Sequence, residues 1–379
     1  MNFPKLLVVT LLSNAVLFGS PIYTTSIIAQ TGDIVGGETL TGVNGNHPDI
    51  NNNNQVAYQG FYNGGAALFV DHTAVQKTGD VVSGVTLTGL GSPSIDSAGI
   101  VSYRGFFGAT AGIFTTGNLL VQEGSVIGGK TVTFFDDPRS NDSGTQVFYS
   151  LYPGGAGLFT QNSVVAIVGS VIGGKTLDNP GSFAEINNAG TFIFESSFAG
   201  GSGLFTQNAL LVQVGDTIAG HTLTFIESAP GITNAGTVVF YATDATGTGI
   251  FTPNSLIVHT GDVIGGKVVK TLNSAALMNS SGTVVFNDQI AGAIFTQFGV
   301  VAEVGDVVGG KTIETLGNPA INDSGNVAFY ARFTDSTTGI LLAQQQAQAT
   351  PETSTSYLFG GGLLVLGFTV RLRRRAGRS

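Results

Sequence analysis

A tight turn running into a strand that ends on an aromatic recurs seven times in this 379-residue chain. It reads NNNNQVAY from Asn51, DSAGIVSY from Asp96, NDSGTQVF from Asn141, NNAGTFIF from Asn187, TNAGTVVF from Thr233, NSSGTVVF from Asn279 and NDSGNVAF from Asn322. Successive starts lie 45, 45, 46, 46, 46 and 43 residues apart, so the period belongs to a folding module and not to local composition.

Each unit reads as four short strands, A to D, separated by Gly, Asn, Asp and Pro. In the fifth unit these are Thr237 to Ala242, Gly249 to Thr252, Leu256 to Thr260 and Lys267 to Thr271. The C to D connection opens on Gly261 and Asp262 and closes on Gly265 and Gly266, residues suited to positive φ at a tight reversal. The Gly-Asp opening recurs at Gly32, Gly79, Gly215 and Gly305, and Ser takes the Asp place at Ser125 and Ser170. Strand A carries an aromatic column, Tyr58, Tyr103, Phe148, Phe194, Phe240, Phe286 and Phe329, and strand B supplies Phe69, Phe114, Phe159, Phe205, Phe251 and Phe295. Alternate positions of strand A, such as Ile193 and Val239, are apolar too, so both faces of the sheet need cover.

Four strands in about 45 residues, repeated seven times, predict an all-β, seven-bladed β-propeller over residues 27–342. The rival is a β-solenoid. The seventh unit stops at Leu341 without strands C and D, whereas Ile27 to Leu40 is a C and D pair with no A and B before it. A ring latched by both chain ends accounts for that half unit, and the two ends are expected to share one blade.

Composition limits the partners. With 15 Lys and Arg against 24 Asp and Glu, the net charge is -9, which argues against nucleic acid. No Cys is present, excluding disulfides and thiolate metal sites, and the mean hydropathy of +0.30 is spread over short strands. Of the four His, at 47, 72, 221 and 259, none recurs in register; His221 and His259 read as packed or solvated strand residues. No GxSxG, HExxH, P-loop or CxxC motif occurs, so no catalytic set, metal or cofactor is assigned. The Asp-rich phrases at Asp136 and Asn322 lack the alternating ligands and closing Glu of a calcium loop and read as turns. The non-repeating polar residues gather in or beside the D to A and B to C segments: His47, Asp49, Asp71, His72, Asp136, Asp137, Arg139, Asp178 and Glu185. That end of the ring is the candidate binding face.

The two ends differ from the body. Residues 1–26 read as a secretory signal: Lys5, an apolar run through Phe18, then small residues, with cleavage open between Ser20, Ser26 and Ala29. Residues 343–356 form a polar linker, and residues 357–379 an apolar stretch, Tyr357 to Val370, followed by Arg371, Arg373, Arg374 and Arg375. Fourteen residues span about 21 Å as a helix, short of a roughly 30 Å hydrocarbon core, but flanking Arg side chains reach the interface. Cationic Lys5 and the Arg cluster on the inner side place the body outside the cytoplasm.

This tail resembles the PEP-CTERM sorting signal of bacterial exported proteins. Pro351 and Glu352 match its motif, and Thr353 stands where a second Pro is expected. The resemblance implies processing by an exosortase-type enzyme. The body is similar to tandem NxxGxxAF repeat proteins that carry such anchors, a likeness that brings no activity with it. The function expected is therefore an exported, membrane-anchored or released binding or structural module at the cell surface or in extracellular matrix, with polysaccharide or surface protein as partner. The alternative is a glycan-active propeller enzyme using the acidic and His residues of one face.

Overall fold

The computed structural model describes residues 21–346, except 46, 228 and 273–276; the signal segment through residue 20 and the tail from residue 347 lie outside them. The described chain is all strand and turn, arranged as seven four-stranded antiparallel blades around a channel, a seven-bladed β-propeller. The fourth blade runs outward through Lys175–Ile186, Phe192–Phe198, Gly201–Thr206 and Leu210–Gln213.

The aromatic columns meet across the two middle strands. Phe194 faces Phe205 in register with ring centroids 6.0 Å apart, and Tyr58 with Phe69 and Phe286 with Phe295 repeat the stack at 5.3 and 5.4 Å. Each pair contributes about 1 kcal/mol beyond its buried area. The core is accordingly divided into layers between blades: Val147 and Leu158 of the third blade pack with Phe194 and Phe205 of the fourth. No blade covers its own faces, which is why the unit needs neighbours.

The repeated turn residues each make a definable bond. Gly265 and Gly266 take φ of +58° and +81° in a two-residue hairpin, the mirror-image turn that matches strand twist. A methyl on Gly36, the equivalent of Gly265, would sit 2.6 Å from Ala74 Cβ, so the hairpin also docks closely on a neighbouring outer strand. The Asp of the Gly-Asp phrase accepts the backbone N–H three residues earlier, Asp262 from His259 at 2.8 Å; Ser170 accepts the same bond from Ile167 at 3.0 Å. A hydroxyl does the carboxylate's work there, which is why the exchange occurs without other change.

The expected phase of the blade needs correction. Strand D of one unit pairs with strand A of the next, Leu177 opposite Phe198, and forms the innermost strand of the following blade. The half unit at the N-terminus is therefore split between two blades. Tyr23–Gln30 is the outer strand of the seventh blade, pairing antiparallel with Thr338–Gln345, Ala29 opposite Ile340. Glu38–Val43 is not its companion there; it begins the first blade, Leu40 opposite Tyr62. The paired strands run from Tyr23 to Gln345, wider than 27–342 at both ends. Signal cleavage after Ser20 would leave the latch strand whole, whereas cleavage after Ser26 or Ala29 would cut into it.

Candidate functional site: the central channel

Because alternate residues of a strand face the same side, each inner strand offers the channel one side chain every two residues. Two places before each turn residue stand Asp49, Ser94, Arg139, Glu185, Gly231, Leu277 and Ala320. Four places before it stand His47, Ser92, Asp137, Phe183, Ala229 and Asn318. At these two levels the charge comes from the first, third and fourth blades, the second supplies Ser92 and Ser94, and the last three give Gly, Leu and Ala at the deeper level. A cavity of about 430 Å³ is lined by His47, Asp49, Arg139, Phe183, Glu185 and Glu227 among others. A second cavity of about 330 Å³ shares His47, Arg139, Phe183 and Glu185 and adds Asp136 and Asp137.

The wall is an ordered electrostatic network. Arg139 Nε donates to Glu185 Oε1 at 2.9 Å, the two residues standing one repeat apart on adjacent blades. Asp49 accepts from the backbone N–H of Ile95 at 2.8 Å and of Ile50 at 2.9 Å. Burial raises the Glu185 carboxyl, with Arg139 opposing and Asp49 adding to the rise. Burial also raises Asp49, against its backbone hydrogen bonds and Arg139. Burial works against the Arg139 charge, but Glu185 and then Asp49 outweigh it and hold the guanidinium above its ordinary pKa. His47 is pushed down to about 4 by burial and by Arg139, Asp137 opposing. It is neutral at pH 7, and Asn318 Nδ2 donates to its Nε2 at 3.1 Å. Arg104 lies behind the wall, 3.3 Å from Asp137 through Nε and donating to Phe135 O at 2.7 Å.

Of the residues expected on one face, the structure gathers His47, Asp49, Asp136, Asp137, Arg139 and Glu185 around the channel. It does not bring Asp71 or His72 there. Both sit in the turn between the two outer strands of the first blade, at the rim. Asp71 accepts Val56 N–H at 3.0 Å and Tyr58 O–H at 2.8 Å, a structural role at φ +52°; His72 is exposed. Asp178 is likewise exposed, nine residues before its turn.

Sequence reasoning passed over a second cluster. His221, Asp244 and His259 converge at the opposite end of the fifth blade, with one ligand-type atom of each within 4.8 Å of the others. Asp244 is buried, yet its carboxyl lies well below the usual range: burial raises it, and Thr246, His221 and His259 more than offset that. The signal that might have found it is register, since Asp244 replaces the aromatic found at Tyr62, Phe107, Tyr152, Phe198 and Phe333 and His221 the Lys found at Lys130, Lys175, Lys267 and Lys311.

No family model and no curated protein matches the chain. Among solved structures it is similar to virginiamycin B lyase from Staphylococcus aureus, at 11% identity and TM-score 0.42, over 84% of this chain and 99% of that one. A gluconolactonase from Xanthomonas campestris is similar at 9% identity and TM-score 0.36, over 84% and 100% of the two chains. The extracellular domains 1-2 of Drosophila Semaphorin 1a are similar at 10% identity and TM-score 0.38, over 86% and 90%. These are likenesses of fold between proteins of different work.

Proposed function

We propose that this chain is an exported β-propeller, held at the membrane by its tail until an exosortase-type enzyme processes it, and that its channel binds the end or a short stretch of an extracellular polysaccharide. The observation that carries the reading is the 53% exposed ring of Phe183, set in the same cavities as Arg139, Glu185 and His47. A sugar presents an apolar C–H face to an aromatic ring and hydroxyls to charged hydrogen-bonding groups, and this wall offers both. Export is supported by the apolar N-terminal run and the tail from Pro351 and Glu352 to Arg375.

The glycan-active alternative would draw its acid and base from the same wall. Glu185 is engaged by Arg139, and Asp49 by two backbone amides, which suits holding a ligand more than moving a proton. A glycan array with the purified body tests the reading. Binding weakened at least tenfold by Phe183→Ala and by Arg139→Gln, without hydrolysis, is expected. An array with no binder, or binding indifferent to both substitutions, overturns it; turnover lost in Glu185→Gln favours the enzyme.

A further inference from the structure

At one corner of the propeller three positions meet in each blade: the residue after the inner hairpin, the end of the second strand and the end of the outer strand. In the third, fourth and seventh blades the first two hold a Lys over an aromatic ring. Lys130 lies 4.8 Å from the Tyr152 ring centre, Lys175 4.5 Å from Phe198 and Lys311 5.5 Å from Phe333. The fifth blade replaces Lys by His221 and the aromatic by Asp244, and its third position, Gln213 in the fourth blade, is His259. Asp244 stands where Tyr62, Phe107, Tyr152, Phe198 and Phe333 stand in other blades, and His221 where Lys130, Lys175, Lys267 and Lys311 stand, so a carboxylate and an imidazole meet His259 at one corner.

Its geometry is that of a held ligand set. Asp244 Oδ2 contacts His221 Nδ1 and lies 3.2 Å from His259 Nε2. Asp244 Oδ1 is fixed by Thr246 N and Oγ1, each at 2.6 Å, and by Gly247 N at 3.0 Å. His259 Nδ1–H donates to Thr260 O at 2.9 Å, so in the neutral ring Nε2 is a lone pair facing a carboxylate oxygen. That contact is satisfied by a proton on Nε2 or by a metal ion held between the two atoms. Outer hydrogen bonds that fix the tautomer of a His and the second oxygen of a carboxylate are the usual support of metal ligands. His259 and Asp244 are 10% and 3% exposed at their side chains and His221 27%, so one side of the set opens to solvent.

We propose that His221, Asp244 and His259 bind a divalent transition-metal ion of the Zn²⁺ class, with water or an external ligand completing its coordination. Two imidazoles and one carboxylate suit Zn²⁺ at about 2.0–2.2 Å per bond, and disfavour Ca²⁺ and Mg²⁺, which take oxygen ligands. A tetrahedral ion sets its ligand atoms about 3.3 Å apart, the spacing at which Asp244 Oδ2 and His259 Nε2 already stand (3.2 Å), and all three ligand atoms lie within 4.8 Å of one another. The ion would tie the inner hairpin to both other strands of this corner, as the Lys and aromatic pairs do elsewhere by cation–π contact.

The test is equilibrium dialysis of the purified chain against Zn²⁺ with metal analysis, beside Co²⁺ loading followed by visible absorption. One ion per chain, a d–d band of tetrahedral intensity, and affinity reduced at least about tenfold in H221Q and in D244N, but unchanged in H72Q, is the expected result. Because a variant at buried Asp244 can misfold, diethylpyrocarbonate labelling of the unmutated chain provides the second measurement, with His221 and His259 protected by Zn²⁺ and His72 not. Less than one ion per chain at 100-fold excess Zn²⁺, binding unchanged in H221Q, or labelling of His221 and His259 indifferent to Zn²⁺ would each overturn the proposal.

Discussion

The side-chain amide of Asn322 donates to the backbone carbonyl of Asn51 at 3.0 Å, across 271 residues of sequence. Its own Oδ1 accepts Ser324 and Asn326 N–H, closing its turn. One side chain thus shapes a turn with its oxygen and reaches the next blade with its nitrogen. The same bond runs from Asn51 to Asp96 O, Asn141 to Asn187 O, Asn187 to Thr233 O and Asn279 to Asn322 O, at 2.9–3.2 Å. One residue further on, a second belt repeats the idea, Asp142 N to Asn188 Oδ1 and Asp323 N to Asn52 Oδ1, both at 2.9 Å. The ring is stitched from blade to blade at this end of the channel.

Two links lack the amide, because Asp96 and Thr233 occupy the donor place. Asn187→Asp keeps the turn oxygen but removes the donor to Thr233 O, a buried bond, and is expected to cost about 1–3 kcal/mol. Conversely, Asp96→Asn and Thr233→Asn are expected to raise the melting temperature by about 2 °C each, the effect of roughly 1 kcal/mol in a chain of this size. Thermal melts of the three variants check both directions.

His47 supplies a pH dependence. Its folded pKa of about 4 is below the ordinary value of 6.5, so the native state favours the neutral ring. The stability it contributes is fully present above pH 6.5 and is lost as pH falls toward 4. In urea titrations at pH 7.5, 5.5 and 4.5, His47→Asn, which cannot take up the proton, should lose less stability on acidification than the unmutated chain.

Glu195 acts in the other sense. Burial raises its carboxyl to about 7, Ser202 opposing and Glu227 adding to the rise. The folded state penalises the charged form, so stability from the neutral carboxyl is present below pH 4.5 and is lost as pH rises through 7. Glu195→Gln should therefore be more stable than the unmutated chain at pH 8 and lose that advantage at pH 5. Parallel denaturation curves at the two values read it.

Much of this architecture is legible in the sequence because a period acts on every blade alike. Seven turn phrases gave seven blades, and two aromatic columns gave the stacks of Tyr58 on Phe69 and Phe286 on Phe295. The phase was not legible. Strand D buries Leu177 whichever neighbour it pairs with, so nothing in Lys175–Ile186 says that it belongs with Phe192–Phe198. The channel wall was half visible: Arg139 and Glu185, one repeat apart, had to stand on adjacent blades, but His72 shared only its end of the ring. The cluster of His221, Asp244 and His259 was hidden because spacings of 23 and 15 residues match no short ligand motif. Only comparison with Lys175 and Phe198 in the neighbouring blade exposes it.

The described residues close into a ring because Tyr23–Gln30 and Thr338–Gln345 share the seventh blade. Thr24 stands opposite Gln344 in the register of the latch, and both are exposed. Cross-strand Cα atoms lie about 4.5–5.5 Å apart, within the range a disulfide spans. The chain has no Cys of its own, so Thr24→Cys with Gln344→Cys introduces the only thiols. Oxidation followed by alkylation and mass measurement should find no free thiol in a monomer, and the melting temperature should rise, chain-entropy arguments placing the gain at roughly 5 kcal/mol for so long a loop. Free thiols that resist oxidation, or disulfide-linked dimers in place of the cyclised monomer, would contradict the closed ring.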